Sequence, residues 1–273
     1  MCLGLDPDPA ALPDGFSADL AGIERFAFLV VEAATPYAAA IKPNLAFFEA
    51  FGSAGMAVLE RIRERLPHDL PLVLDGKRGD VATTVARQAV ALFDRLGADA
   101  VTVNPYLGSE AVAPLLERDD RFAYILCRTS NPGAHELQSL SVAADPAAGA
   151  PAEPLYLRVA RLAACWGPGG TVGLVTGATA PAELTAIRAV APGLPFLVPG
   201  IGAQGGQLDP VLAHGPATAS PGAGRPGSGL LVNVSRGIAG AAFGAPSGGG
   251  PADPGERIQA AARDWASRLP VLP

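Results

Sequence analysis

The chain has 273 residues, 49% hydrophobic and 17% charged, a composition that supports a substantial buried core and excludes a disordered or fibrous protein. A formal charge of −6 argues against nucleic acid or an anionic membrane as the main partner and leaves room for a local cationic pocket that takes a small anion. No apolar run reaches the roughly 18 residues that span a bilayer, and no signal-peptide pattern opens the chain. Cys2, Cys127 and Cys165 cannot all pair and show no metal-ligand spacing, and His68, His135 and His214 are scattered, so a cytoplasmic protein without a bound metal is expected.

In chain order, short runs rich in Val, Ile and Leu predict strands over 2–6, 38–44, 71–77, 100–104, 122–128, 171–177, 195–199 and 230–235. Apolar residues at helical spacing predict helices over 17–35, 45–66, 81–96 and 181–190, with Gly97 where a helix C-cap belongs. Two stretches rich in Ala, Gly, Pro and Ser, 135–153 and 215–228, read as flexible insertions within one domain spanning 1–273.

Strands apolar on both faces, alternating with amphipathic helices, imply a parallel sheet covered by helices. Eight such units in about 250 residues favour a (β/α)8 TIM barrel over an open doubly wound sheet. Polar residues sharpen that choice, because strand after strand ends in one: Asp6, Lys42 with Asn44, Asp75 with Lys77, Asn104, Arg128, Thr176, Gly200 to Gly206, and Ser235 with Arg236. A barrel gathers its C-terminal strand ends around one mouth, where such groups meet a single ligand.

Lysine usage points to the same ends. The only two lysines are Lys42 and Lys77, against 18 arginines, so these positions call for a compact ammonium that can give up a proton. The densest chemistry is Asp75-Gly-Lys77-Arg-Gly-Asp80, followed by Thr84. Strand alternation predicts that Asp75 and Lys77 face the same way, and flanking carboxylates favour the protonated amine. Alone, Asp-x-Lys-x-x-Asp is a weak signal that a solvated turn would also satisfy. The Gly-Ile-Gly-Ala-Gln-Gly-Gly run has the look of a dinucleotide fingerprint but lacks the downstream ribose carboxylate; loops after the last two strands of a barrel are the usual phosphate site.

Eight ordered motifs make the case specific: LGLDPDP, IKPNLAFFE, DGKRGDVATT, NPYLG, TSNPGA, VTGAT, VPGIGAQGG and NVSRGI, one at each strand. In these the chain resembles the orotidine 5′-phosphate decarboxylase family, in its longer bacterial subgroup, over nearly its whole length. The resemblance implies the last step of UMP synthesis, without cofactor or metal, in a homodimer with a composite site. It implies that Lys77 protonates C6 of the pyrimidine beside Asp75, and that Asp80 and Thr84 reach into the neighbouring subunit's site. It further implies that Asp6 and Lys42, with Asn44 nearby, hold the ribose hydroxyls and that Ser130 contacts the ring edge. Gln204 and Arg236 would grip the phosphate, helped by backbone amides around Gly202 and Ser235. Family members usually carry residues ahead of the first strand, whereas Met1 stands almost on it. Two other readings share parts of this pattern: a Mg²⁺-dependent 3-keto-gulonate 6-phosphate decarboxylase or hexulose 6-phosphate synthase, and a barrel that binds a nucleotide without catalysis.

Overall fold

In the computed structural model, which describes residues 1–147, 149–167, 170–202, 204–219, 229–243 and 253–269, every expected strand forms within two residues of its expected bounds. The order begins β1 (Cys2–Leu5), α1 (Leu20–Ala34), β2 (Ala40–Pro43), α2 (Ala46–Glu49), α3 (Gly52–Arg65), β3 (Val73–Arg78), α4 (Ala82–Ala89), β4 (Ala100–Val103), α5 (Ser109–Leu116) and β5 (Phe122–Arg128). It continues α6 (Ala134–Gln138), β6 (Ser141–Val142), β7 (Glu153–Pro154), α7 (Leu155–Ala163), β8 (Val172–Thr176), α8 (Pro181–Val190) and β9 (Phe196–Val198). Last come α9 (Leu208–His214), β10 (Leu230–Val234), α10 (Arg236–Ala239) and α11 (Pro254–Ser267).

The main sheet has eight strands in the order β2-β1-β10-β9-β8-β5-β4-β3. Pairs β1–β2, β1–β10, β10–β9, β9–β8 and β8–β5 are parallel, and parallel bridges Ile41 to Leu72 and Asn44 to Asp75 join the two ends of that order. This circular order of parallel strands and intervening helices is the (β/α)8 barrel topology that the alternation pattern predicts.

Local chemistry explains where helices begin and stop. Asp19 caps α1 by accepting from the Gly22 N–H at 2.9 Å, and a side chain at Gly22 would strike the Ser17 carbonyl. The continuous helix expected over 45–66 is broken: Asn44 accepts from the Ala46 N–H to start α2, and Gly52, at φ +61, restarts the chain as α3. The helix expected over 81–96 becomes α4 followed by a π-helical turn, Val90–Arg95, and ends at Gly97 with φ +67, as a C-cap requires.

By density of contacts the described chain forms two units. One comprises Met1–Gly76, Val90–Val101 and 233–269; the other comprises Lys77–Ala89 and Thr102–Val232. In the first, α1 packs on α3 and α11, and Leu3, Leu5, Ile23, Ile41, Phe48 and Ile62 are fully buried. In the second, α4 packs on α5 and α8 on α7 and α9, around Leu115, Ile125, Leu174, Leu184 and Phe196. Each such side chain contributes about 1.5–3 kcal/mol through the apolar area it removes from water. Among the described residues no helix is long and apolar enough to cross a membrane.

The stretch 135–153, expected as a flexible insertion, carries secondary structure of its own: α6 and an antiparallel ribbon in which Ser141 pairs with Pro154 and Val142 with Glu153. Glu153, 6% exposed, accepts from Arg158 Nε at 3.0 Å and from Arg161 Nε at 2.8 Å, pinning the ribbon to α7. Burial alone would raise its pKa, but the two guanidinium hydrogen bonds outweigh burial and hold the carboxyl below its ordinary value. Glu153→Ala should therefore destabilise the protein by about 2–3 kcal/mol near neutral pH, read by denaturant unfolding. A lowered folded-state pKa contributes stability that is present above about pH 4.3 and is lost as pH falls through the folded value, so the two proteins should converge in acid. An unchanged unfolding midpoint at pH 7 would show that the ion pairs do not anchor the ribbon. Of the second expected insertion, 220–228 lie outside the described residues.

Candidate active site

Four of the expected residues meet in the first unit. Lys42 on β2 donates to Asp75 on β3 at 2.8 Å, with side chains only 5% and 11% exposed. Burial would lower the lysine pKa, yet Asp75 and, more weakly, Asp6 outweigh it and hold Lys42 above its ordinary value, so this amine is charged at neutral pH. Ser235, after β10, donates to Asp6 Oδ2 at 2.6 Å across 229 residues of chain. The other oxygen, Asp6 Oδ1, is buried without a protein hydrogen bond, as is Asn233 Oδ1 one strand position before Val234. Asn44 bridges to Asp75 through its backbone, and its side chain accepts from the Ala46 N–H at 3.1 Å. Arg236 opens α10 and is exposed. Cys2, buried on β1, has its thiol pushed up to about 12 by burial, which leaves it neutral and a poor nucleophile.

In the second unit the backbone of Lys77 is the outstanding feature. At φ +46 it is the one non-glycine with positive φ among the described residues. Its N–H donates to Thr102 Oγ1 of β4 at 2.9 Å, and the next carbonyl, of Arg78, accepts from the Asn104 N–H at 2.7 Å. Gly79 makes this close approach possible, because a Cβ there would lie 3.1 Å from the Asn104 carbonyl oxygen. A left-handed residue at a strand end costs about 1–3 kcal/mol and persists only where its surroundings impose it. Asp75 is buried, whereas Lys77, two residues further along β3, is exposed. Asp80 accepts from the Val81 N–H at 2.7 Å, and Thr84 is exposed on α4.

The loop after β5 and the loop after β9 join through Ser130, whose Oγ donates to Gln204 Oε1 at 2.8 Å. Glycines create the room. A Cβ at Gly177 would lie 2.9 Å from Ser130 Cβ, and one at Gly200, already at φ +97, would meet Gln204 Oε1 at 3.0 Å. Gly202, at φ +79, donates its N–H to the Gly206 carbonyl at 3.3 Å.

The structure thus joins Lys42 with Asp75, Asp6 with Ser235, and Ser130 with Gln204. It also exposes a residue that spacing alone did not single out. Thr102, 2% exposed in the apolar strand Ala-Val-Thr-Val, holds the Lys77 backbone, and a buried hydroxyl in such a run is the signal that marks it. Thr176, already expected as a polar strand end, is fully buried at the end of β8, and its hydroxyl has no hydrogen-bond partner among the described residues.

Residues 1–246 match the model of the orotidine 5′-phosphate decarboxylase / HUMPS family. A protein of Roseiflexus castenholzii named orotidine 5′-phosphate decarboxylase is 44% identical over 270 residues, covering 98% of this chain and 90% of that one. Among solved structures, Leishmania donovani OMP decarboxylase is 38% identical with a TM-score of 0.78, over 98% of this chain and 90% of that chain. Leishmania donovani UMP synthase is 40% identical with a TM-score of 0.80, over 98% of this chain and 52% of that longer one.

Proposed function

The chain belongs to the orotidine 5′-phosphate decarboxylase / HUMPS family, and from that premise we propose how its residues carry the reaction. The reaction is the decarboxylation of orotidine 5′-phosphate to UMP, the last step of UMP synthesis. The family match over residues 1–246 carries this conclusion, together with relatives of that name at 44% and 38% identity. Those names do not favour the Mg²⁺-dependent sugar-phosphate reading.

When the bond from C6 to the carboxylate carbon breaks, the electron pair stays on C6 as a vinyl-type carbanion with no carbonyl placed to absorb it as an enolate. A fixed positive charge beside C6 must stabilise it, and Lys77 is the residue for this: its ammonium stabilises the developing charge and then transfers a proton from Nζ to C6. Asp75, with Asp80 of the partner subunit, keeps that amine charged and oriented. Lys42, held protonated by Asp75 and Asp6, ties the network to the ribose hydroxyls, and Asn44 completes that side. Asp6 Oδ1 supports the ribose role, because a buried carboxylate oxygen with no protein donor is satisfied by a ligand hydroxyl.

Ser130 meets the pyrimidine edge. Gln204, Arg236 and the amides near Gly202 and Ser235 hold the phosphate, whose binding energy is used to close loops and exclude water. Thr84 belongs to the subunit interface. A homodimer is supported by apolar exposure beside Asp80: Val81 is 51% exposed, and Tyr106 and Leu107 after β4 are 76% and 46% exposed. One domain is supported by β3, β4 and β10, each of which supplies residues to both units. Three free cysteines fit a cytoplasmic setting.

Purified protein should consume orotidine 5′-phosphate, followed by the change in its ultraviolet absorbance, at a rate that excess EDTA leaves unchanged. Folded protein that leaves the substrate intact would overturn the assignment, and loss of the rate in chelator would favour the Mg²⁺-dependent reading.

A further inference from the structure

We propose that Gln138, the last residue of α6, is a positioning residue for the decarboxylation, acting through Thr129 on Ser130. The proposal rests on the assignment of Ser130 to the pyrimidine edge.

The Gln138 carboxamide grips Thr129 twice. Its Oε1 accepts from the Thr129 N–H at 2.9 Å and its Nε2 donates to Thr129 Oγ1 at 2.7 Å. The Thr129 hydroxyl in turn donates to Asn131 Oδ1 at 2.6 Å, so the residues on both sides of Ser130 are tied into one chain of hydrogen bonds. The Thr129 carbonyl is occupied as well, accepting from Arg128 at 2.9 Å, and that guanidinium is steadied by Glu183 at 3.4 Å. All three polar groups of Thr129 are therefore engaged.

Ser130 sits in a loop just past the end of β5, where no neighbouring strand fixes its backbone, so its aim depends on such ties. A neutral carboxamide suits the task, because it offers an acceptor to the N–H and a donor to the hydroxyl within one planar group at any pH near neutral. Glutamate lacks the donor and methionine lacks both. The clamp has a firm base: the Ala134 N–H donates to the Asn131 carbonyl at 3.1 Å, and the Leu140 carbonyl accepts from the Leu155 N–H at 2.8 Å. Glu153 then fastens the ribbon to α7 through Arg158 and Arg161. Helix α6 and the ribbon of β6 and β7 thus buttress the loop that presents Ser130, and Gln138 is the point at which they act.

A double-mutant cycle distinguishes aim from general stability. Gln138→Met should lower kcat/KM for orotidine 5′-phosphate about tenfold, through misplacement of the ring contact, and Thr129→Val should move it the same way. With Ser130→Ala already present, Gln138→Met should cost less than about twofold, because the group being aimed is gone. Native kcat/KM in Gln138→Met, or a loss undiminished by Ser130→Ala, would overturn the proposal. Ser130→Ala with native activity would instead overturn the Ser130 assignment itself. Should Gln138→Met fold poorly, Gln138→Glu, which keeps the acceptor and lacks the donor, takes its place in the cycle: a loss that Ser130→Ala removes supports the clamp, and native activity or an undiminished loss overturns it.

Discussion

Lys77→Gly is expected to abolish turnover and yet give a more stable protein than Lys77→Ala. Both substitutions delete the amine proposed above to stabilise and protonate C6, so each should lower kcat at least about 10³-fold. They differ in backbone. Lys77 is held at φ +46, a conformation that glycine adopts freely and that alanine adopts only under strain. Gly also makes the unfolded chain more flexible, which offsets part of the gain, and the net difference should be about 0.5–1 kcal/mol in favour of Lys77→Gly. Chemical unfolding of the two variants beside an absorbance assay checks both halves. Near-normal UMP formation by folded Lys77→Ala would remove Lys77 as the proton donor. Equal stability of the two variants would show that Thr102 and Gly79 do not impose strain at that position.

Mixed Lys77→Ala and Asp80→Asn proteins, each inactive alone, should regain about a quarter of native activity after subunit exchange. Random reassortment makes about half the dimers mixed, and in each mixed dimer one of two symmetry-related sites has both residues intact. The expectation follows from the proposal that each site takes Lys77 from one subunit and Asp80 from the other. Recovery of activity is a gain of function that misfolding cannot imitate. Verified heterodimers with no recovery would place both residues in one subunit's site or remove Asp80 from the chemistry.

Strand positions are readable in the sequence because the signal is local. Runs such as Tyr-Ile-Leu-Cys and Val-Gly-Leu-Val are apolar on both faces, and a buried parallel strand requires just that, so β5 and β8 appear where the letters place them. The charged residues at strand ends are readable for the same reason. Helices are less so: in α5 and α9 an internal proline, Pro114 or Pro210, interrupts a short amphipathic stretch and blurs the helical period. In the stretch 135–153 the Ala, Gly and Pro content hides α6 and the short ribbon, since Glu153 pairs with arginines on the next helix, which composition does not reveal.

Fold topology and the clustering of Asp75, Lys77 and Asp80 at one strand end can be argued from one-dimensional order, since periodicity and motif spacing are properties of neighbours in the chain, whereas the decarboxylase chemistry and the roles of those three residues are what the resemblance carried by the eight ordered motifs implies. Which charges meet is decided by folding: Lys42 against Asp75, Ser235 against Asp6 across 229 residues, and Ser130 against Gln204 across 74. The left-handed turn at Lys77 belongs with these, because it is stabilised by Thr102 on another strand. Such contacts depend on closing long loops, whose entropy only the whole packed sheet offsets, so no short window of sequence contains them.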